Sequence, residues 1–350
     1  MSLILSIETS CDDTSVALVK DHGQVIGLMT ANQDDVHKSF GGVVPEIAGR
    51  SHSVTLLPLI DKLLTTHKVD WSEVTGIAVT NRPGLVGSLM VGVVTAKTLA
   101  LSKNIPFIGV NHLEGHLVAP FLMDDSYKPP ADLKPPYVAL AVSGGHTQLY
   151  CVKNIGEYEL MGYTVDDAAG EAFDKFAKML RLGFPGGVYV DKLAQKGDSK
   201  AYTFPRSMIK KGLNFSFSGL KAAAQRQIEQ MPQDQLEAQK ANLCASYQQA
   251  IVDVLIAKLN TAVELANVKR AVITGGVSAN SQLRLQAEEW AQKNNITLAI
   301  PPIRYCTDNA AMIGYLGLQK LEANITSDQS LSPSPNIYPD DFKNFEGVTP

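Results

Sequence analysis

LILSIETSCDDTSVALV, residues 3–19, contains two runs of β-forming residues, 3–7 and 14–19, joined by the short polar segment 8–13. Two such runs around a short polar connection are typical of a β-hairpin. A third run, 24–30, completes a predicted meander. We therefore expect the chain to begin with three strands whose first turn is polar.

The same plan recurs in the second half of the chain. A strand at 137–142, a small polar turn at 143–147, a strand at 148–152 and a third run at 158–164 follow one another there. The recurrence predicts an α/β protein of two lobes with similar strand-and-helix design. Each lobe is expected to contribute a tight turn to a shared nucleotide cleft.

Apolar spacing predicts alternating helices and strands in the rest of the chain. The predicted helices are 46–67, a segment ending at 101, 166–180, 236–266, a segment ending at 293 and a last one ending at 321. The predicted further strands are 76–80, 107–110, 270–274 and 296–300.

A segment with four prolines, 124–136, is the predicted linker. It separates an N-terminal lobe, 1–128, from a C-terminal lobe, 129–322, that contains inserted helices and a basic segment. The Ser/Pro/Asp-rich tail 323–350 is predicted to be loosely packed, with the final helix able to pack back on the N-terminal lobe.

Composition bounds the class of protein. A chain of 350 residues with 45% apolar residues can bury a large core, and a net charge of −4 argues against a protein that coats nucleic acid. The four cysteines show no paired spacing, which indicates a reducing compartment. No basic leader and no apolar run of about 20 residues is evident, so we expect a cytoplasmic location and no membrane contact.

Four turns, 8–13, 81–85, 143–147 and 275–280, follow apolar strands and are rich in Gly, Ser, Thr, Asn and acids. Any one of them is equally consistent with a plain connection. Together they predict a site that meets phosphate charge with backbone N–H groups and a metal. The chain has neither the GxxxxGK[ST] lysine loop nor a GxGxxG after its first strand. These absences argue against a P-loop fold and a Rossmann fold.

His112-Leu113-Glu114-Gly115-His116 places two imidazoles one helical turn apart, where both can reach one divalent ion. A zinc-protease signature has the same histidine spacing, but its Glu directly follows the first His. Glu114 is rotated by about 200° from His112 and is expected to face away from the metal. A capped or core-satisfied histidine pair is the structural alternative.

Asp308 is the favoured third ligand, because it precedes the final helix after an irregular loop. A His/His/Asp set with open positions suits Fe(II) or Zn(II). A helix N-cap is the alternative role for Asp308. Asp12, in the first turn, is placed to orient a nucleophile or a metal-bound water, with an ordinary turn residue as its alternative.

The segment 192–226 contains eight Lys/Arg residues against one acid, Asp198. It is either a solvated face or a contact for RNA backbone. The aromatic residues Tyr202, Phe215 and Phe217 in the same segment favour RNA contact.

Eight motifs now point to a known family. They are IETSCDDTS (7–15), HLEGH (112–116), AVSGGHTQL (141–149), DDAAGEAFDK (166–175), FPGG (184–187), FSFSGLK (215–221), GGVSAN (275–280) and CTDNAAMI (306–313). In this order, and over about residues 1–322, the chain resembles the bacterial TsaD family of tRNA adenosine threonylcarbamoyltransferases, formerly called O-sialoglycoprotein endopeptidases.

The resemblance implies an actin/Hsp70/sugar-kinase-like (ASKHA) fold with duplicated RNase H-like lobes around a nucleotide cleft. It implies transfer of the threonylcarbamoyl group from threonylcarbamoyl-AMP to the exocyclic amine of the adenosine 3′ to the anticodon, in tRNAs that read codons beginning with A. ATP or AMP would occupy the same cleft. The implied partners are tRNA, a catalytically inactive TsaB-like paralogue as heterodimer partner and a small TsaE-like ATPase.

By motif, the resemblance makes His112, His116 and Asp308 the ligands of one Fe(2+) or Zn(2+) ion. The substrate-binding positions that it implies are Ala141, Val142, Ser143, Gly144, Gly145, Asp174, Gly187, Asp191 and Asn280. Arg82 departs from the family, which usually has glycine there, and both the linker and the tail differ from the usual pattern. The alternative functions are a kinase or a metalloprotease on the same ATP-binding, metal-containing fold.

Overall fold

The computed structural model of the chain describes residues 2–37, 40, 42–337 and 342. They fall into two compact units. The first unit contains the described residues of Met1–Pro129 and Thr307–Asp341, and the second contains Pro130–Cys306 with Phe342.

The described residues form strands and α-helices in both units. The strands are β1 (Leu3–Glu8), β2 (Thr14–Lys20), β3 (Gln24–Ala31), β4 (Gly76–Arg82), β5 (Phe107–Asn111), β6 (Tyr137–Val142), β7 (Thr147–Asn154), β8 (Glu157–Tyr163), β9 (Arg270–Thr274) and β10 (Thr297–Ala299). The α-helices are α1 (Asp34–His37), α2 (Pro45–His67), α3 (Val86–Lys103), α4 (His112–Val118), α5 (Ala169–Met179), α6 (Gly186–Ala194), α7 (Ser218–Glu229), α8 (Gln233–Ala266), α9 (Ser281–Asn294) and α10 (Ala310–Glu322).

The sheet of the first unit has the order β3-β2-β1-β4-β5. The β1–β2 and β2–β3 pairs are antiparallel, whereas β1–β4 and β4–β5 are parallel. Successive side chains of a strand point to opposite faces. Leu5 and Ile7 accordingly lie in a core cluster with α2 and α3, whereas Ile4 and Ser6 lie against α10.

The sheet of the second unit has the order β10-β9-β6-β7-β8. The β6–β7 and β7–β8 pairs are antiparallel, and β6–β9 and β9–β10 are parallel. Reading from β8 to β10 gives the same sequence of strand directions as reading from β3 to β5. This confirms the predicted duplication and the α/β fold class.

Helix α10 belongs to the first unit because it packs on β1, β2, β4 and α4. The predicted division placed 307–322 in the C-terminal lobe, with the remark that the final helix could pack back on the N-terminal lobe. The other predicted boundary, 128/129, lies one residue from the division at Pro129/Pro130. Part of the predicted loose tail, 338–341 and 343–350, lies outside the described residues.

Two glycines of the first unit offer a test of this packing. An alanine Cβ at Gly317 of α10 would lie 2.4 Å from the Ala78 Cβ of β4, whereas a Cβ at Gly87 of α3 meets nothing within 4 Å. We expect Gly317→Ala to lower the free energy of unfolding by about 1–3 kcal/mol through overpacking. The control Gly87→Ala should raise it by up to about 1 kcal/mol, because alanine favours helix. Urea denaturation measures both, and equal effects would contradict the close packing of α10.

Candidate metal centre and substrate-binding turns

Two histidines and an aspartate converge in the first unit. His112 and His116 lie one turn apart on α4, with their ring centroids 4.7 Å from each other. The Asp308 Oδ1 atom lies 3.4 Å from His112 Nε2 and 3.1 Å from His116 Nε2. One candidate ligand atom from each of the three residues lies within 4.8 Å of the others. This donor set has the composition of a Zn(II) or Fe(II) site with open positions.

The segment before α10 leaves the Asp308 carboxylate available. Asn309, not Asp308, is the N-cap of α10, and its side chain accepts a hydrogen bond from Met312 N–H at 3.1 Å. The alternative of Asp308 as N-cap is therefore wrong. Gly115 of α4 allows α10 to approach, since a Cβ there would lie 3.0 Å from Met312 Cγ.

Glu8 completes the cluster and is not among the residues predicted from the sequence. This last residue of β1 is buried, and its Oε2 lies 3.0 Å from His112 Nδ1. It also accepts hydrogen bonds from the Ser10 N–H and the Thr80 hydroxyl. An acid at the end of an apolar strand was the available signal. A carboxylate that accepts from Nδ1–H leaves the Nε2 lone pair of a neutral imidazole free for a metal.

The cluster is strongly charged for a buried site. Burial opposes ionisation of Glu8 and Asp308, but the neighbouring His112 lowers the pKa of Glu8 and holds the pKa of Asp308 well below its usual range. Burial also opposes protonation of His112, yet Asp308 and Glu8 raise its pKa well above its ordinary value. His116 Nδ1 is buried without a hydrogen-bond partner among the described residues. The surplus of carboxylate charge and the donor set fit a divalent cation.

Asp12 lies half-exposed in the β1–β2 turn, which His52 of α2 fixes. His52 is fully buried, and its Nε2 lies 2.9 Å from the Cys11 carbonyl oxygen while its Nδ1 lies 2.7 Å from Thr14 Oγ1. A carbonyl only accepts, so Nε2 carries the hydrogen. Burial lowers the pKa of His52, which favours this neutral form. His52 was not predicted, although it follows Ala48 at the spacing of the buried face of α2.

The 82–85 turn lies against the β1–β2 turn. Leu85 N–H donates to the Ser10 carbonyl at 2.8 Å, and a Cβ at Gly84 would lie 2.4 Å from that oxygen. Arg82 remains within β4, opposite Asn111 of β5. The backbone therefore accommodates arginine where the resembled family usually has glycine.

Glu114 does not face the candidate ligands. Its side chain is 11% exposed and its Oε2 lies 3.4 Å from Lys320 Nζ of α10. The residue therefore links α4 to α10. It does not provide the general base that a metalloprotease requires.

In the second unit, the turn after β6 is closed by its own residues. Ser143 N–H donates to the His146 carbonyl at 2.8 Å, and Gly170 N–H donates to the Ser143 carbonyl at 3.2 Å. Gly144 and Gly145 are exposed, while Ala141 and Val142 are buried in β6. The 275–280 turn lies directly beside it, because a Cβ at Gly275 would lie 2.4 Å from the Val142 carbonyl oxygen.

Asp174 of α5 lies at the start of α6. Its Oδ1 accepts from Gly186 N–H at 2.7 Å, and the backbone of Gly187 also donates to the carboxylate. Burial raises the pKa of Asp174. The predicted positions Asp174 and Gly187 are thus brought together.

Asp191 and Asn280 form a second pair in this unit. The Asn280 side-chain N–H₂ lies 3.3 Å from Asp191 Oδ1 and donates to Gln248 Oε1 at 2.7 Å. Its side-chain oxygen accepts from Leu283 N–H and caps α9. Ser281 also donates to Asp191. The network fixes both predicted side chains.

The basic stretch is only partly available to a ligand. Phe215 and Phe217 are buried, so the prediction that they contact RNA is wrong. Arg206 pairs with Asp253, and Lys221 pairs with Asp167. The exposed cations of the stretch are Lys192, Lys196, Lys200, Lys210, Lys211 and Arg226.

Residues 24–315 match the sequence model of the family TsaD, tRNA N6-adenosine threonylcarbamoyltransferase. The chain is 57% identical over 341 residues to the protein of that name from Bdellovibrio bacteriovorus, covering 97% of this chain and 99% of the relative. It is 45% identical over 336 residues to the one from Thermosipho africanus, covering 96% and 99%.

Solved structures share the fold at low identity. Full-length HypF in its phosphate- and nucleotide-bound form aligns with a TM-score of 0.60 and 12% identity, covering 93% of this chain and 47% of HypF. Component A of the Acidaminococcus fermentans (R)-2-hydroxyglutaryl-CoA dehydratase aligns with a TM-score of 0.52 and 14% identity, covering 92% and 100%. These likenesses support the two-lobed ASKHA fold.

The burial of Asp174 beside Gly186 predicts that the stability of the protein depends on pH. Because the folded-state pKa of Asp174 is raised, the folded state holds its proton more tightly than the unfolded state does. The resulting stability is fully present below the ordinary value of 3.8 and is lost as the pH rises through the raised value. Asp174→Asn keeps an acceptor for Gly186 N–H but cannot titrate. We expect the unfolding free energy of the wild type, relative to this variant, to fall over that pH range in urea denaturation. A difference independent of pH would contradict the burial of Asp174.

Proposed function

The chain belongs to the TsaD family of tRNA N6-adenosine threonylcarbamoyltransferases, and we propose that its acyl donor is threonylcarbamoyl-AMP. It is an acyltransferase that acts on the N6 amine of a tRNA adenosine. We propose, from the family resemblance, that this is the adenosine 3′ to the anticodon in tRNAs reading codons that begin with A. The convergence of His112, His116 and Asp308 is the observation that supports a metal-assisted version of this transfer.

The proposed metal ligands are the Nε2 atoms of His112 and His116 and the carboxylate of Asp308, holding Fe(2+) or Zn(2+). The support is the close approach of these atoms and the Glu8 carboxylate behind His112 Nδ1. A bound divalent ion supplies positive charge that polarises an acyl or phosphate oxygen.

The proposed adenylate-binding residues are Ala141, Val142, Ser143, Gly144, Gly145, Asp174, Gly187, Asp191 and Asn280. Exposed glycines in the turn after β6 let a ligand approach the backbone N–H groups closely. The fixed amide of Asn280 and the carboxylate of Asp191 can hydrogen-bond to hydroxyl groups. ATP or AMP would use the same groups.

In the proposed transfer, the adenosine N6 atom forms a bond to the carbamoyl carbon. The bond from that carbon to the phosphate oxygen breaks, and AMP leaves with the electron pair. The half-exposed Asp12 carboxylate orients the amine and accepts its proton. An exocyclic amine of adenine is a poor nucleophile, so positioning supplies much of the rate acceleration. His52 serves this by fixing the turn that carries Asp12.

We also propose partners and a cellular location for the protein. The exposed cations of 192–226 are the proposed contacts for tRNA phosphates. From the family resemblance we also propose a TsaB-like inactive paralogue and a TsaE-like ATPase as partners, in the cytoplasm. A metalloprotease is not favoured, since Glu114 pairs with Lys320. A kinase is not favoured either, since the relatives are named as threonylcarbamoyltransferases, which transfer an acyl group and not a phosphoryl group.

The metal assignment is tested on metal content. We expect a His112→Ala/His116→Ala variant to lose the bound ion and transfer activity together, because two of three ligands are removed. Glu8→Gln should weaken metal affinity by about 10–100-fold, since a metal ligand loses its orienting carboxylate. Elemental mass spectrometry after dialysis measures the ion, and His22→Ala/His67→Ala is the control. Wild-type metal content in the first variant would refute the assignment.

The role of Asp12 is tested separately. We expect Asp12→Ala to lower single-turnover transfer from threonylcarbamoyl-AMP to unmodified tRNA by about 10²–10⁴-fold, the usual contribution of acid–base catalysis. Metal content should remain unchanged. The neighbouring Asp13→Ala serves as control, since Asp13 accepts a hydrogen bond from Asn32. Full transfer by the Asp12 variant would exclude the proposed role.

A further inference from the structure

A buried lysine in the second unit has no part in the transfer. Lys258 lies on α8 and is 1% exposed. Its Nζ donates to the carbonyl oxygens of Met208 at 2.8 Å, Lys211 at 3.2 Å and Gly212 at 2.8 Å. A single ammonium group thus gathers three carbonyls of one short loop.

The geometry requires the charged form of this lysine. Three acceptors need three N–H donors, and a neutral amine has only two. Burial by itself lowers the pKa of Lys258 and opposes that charge. The Phe215 ring, whose centroid lies 6.0 Å from Nζ, adds a favourable contact. The free-energy cost of burying this charge is therefore offset by three hydrogen bonds, all of them to carbonyl groups of the same loop.

The loop held by Lys258, residues 207–212, has a strained backbone. Met208 adopts φ of 54°, a left-handed conformation that costs a non-glycine residue about 1–2 kcal/mol. Gly212 adopts φ of 52°. Lys211 N–H donates to the Met208 carbonyl at 2.8 Å, so this carbonyl accepts from both lysines. Strain of this kind persists only where surrounding contacts fix the backbone.

The loop presents two adjacent cations to solvent. Lys210 and Lys211 are exposed and form no ion pair with any described residue. Arg206, just before the loop, is instead neutralised by Asp253 at 2.8 Å. The loop therefore combines a fixed backbone with uncompensated charge at its tip.

We propose that Lys258 is a positioning residue that holds the 207–212 loop as a preformed contact for the phosphate backbone of tRNA. The proposal rests on the proposed function for its partner. A loop that is already ordered loses little conformational entropy on binding, so its lysines contribute more affinity than mobile ones would. Two exposed ammonium groups complement the negative charge of a phosphate backbone and read no sequence, as expected for backbone contact.

The experiment measures binding of unmodified tRNA to the full chain by fluorescence anisotropy over a range of salt concentrations, without adenylate. We expect Lys210→Gln/Lys211→Gln to lower affinity and to reduce the slope of log K against log salt by about 2, one unit for each lost phosphate contact. Lys258→Met should produce part of the same loss and slope change, although Lys258 itself touches no solvent. Global destabilisation does not change the salt slope of the folded fraction.

A double-mutant cycle identifies the coupling. If Lys258 acts through the loop, the triple variant should bind no more weakly than Lys210→Gln/Lys211→Gln. Lys240→Met, on the same helix, is the matched control and should bind as the wild type does. Additive losses, an unchanged salt slope in Lys258→Met, or unchanged binding in the double variant would each overturn the proposal.

Folding is checked by circular dichroism before binding. If Lys258→Met does not fold, Gly212→Val replaces it, because a β-branched side chain disfavours φ of 52° and a Cβ at Gly212 meets nothing within 4 Å. Wild-type affinity and salt slope in this surface variant would then overturn the proposal. Binding needs no acyl transfer, so failure of the proposed chemistry with intact tRNA binding is distinguishable from failure of this inference.

Discussion

The packing of α10 on the first sheet is the contact on which the candidate metal centre depends. Asp308 is 192 residues from His116 in sequence, and it reaches the α4 histidines only because the chain returns from the second unit to this sheet. Gly314 and Gly317 permit the approach, since a Cβ at either would lie within 2.8 Å of β-strand side chains. Small residues on one helix face thus determine where a carboxylate lies.

Once that contact forms, electrostatics constrains the site. The buried Glu8 carboxylate and the partly exposed Asp308 carboxylate flank the His112 imidazole, and each charge stabilises the opposite charge beside it. A divalent cation held by the Nε2 atoms would supply positive charge next to Asp308, where the Nε2 atom of His112 lies 3.4 Å from the carboxylate. Glu8, beside His112 Nδ1, fixes the orientation of this imidazole ring.

Local pattern accounted for most of the fold. The meander at 3–30 and its repeat at 137–164 were predictable because strands and turns depend on the types of residues that are adjacent in the sequence. His112 and His116 were predictable for the same reason, as helical neighbours. Glu8 and His52 were not, because neighbouring residues in the sequence give no indication of the distant partner of a polar side chain. The RNA role assigned to Phe215 and Phe217 was wrong because composition does not tell a buried aromatic from an exposed one.

Lys258 and Glu8 are buried side chains of opposite charge that follow the same physical rule. Each is a buried ionisable side chain whose cost of desolvation demands hydrogen bonds to every available lone pair or proton. Glu8 satisfies this with an imidazole, a hydroxyl and a backbone N–H, and thereby fixes a metal ligand. Lys258 satisfies it with three carbonyls, and thereby fixes a strained loop. In both cases the buried charge imposes a fixed geometry on its neighbours.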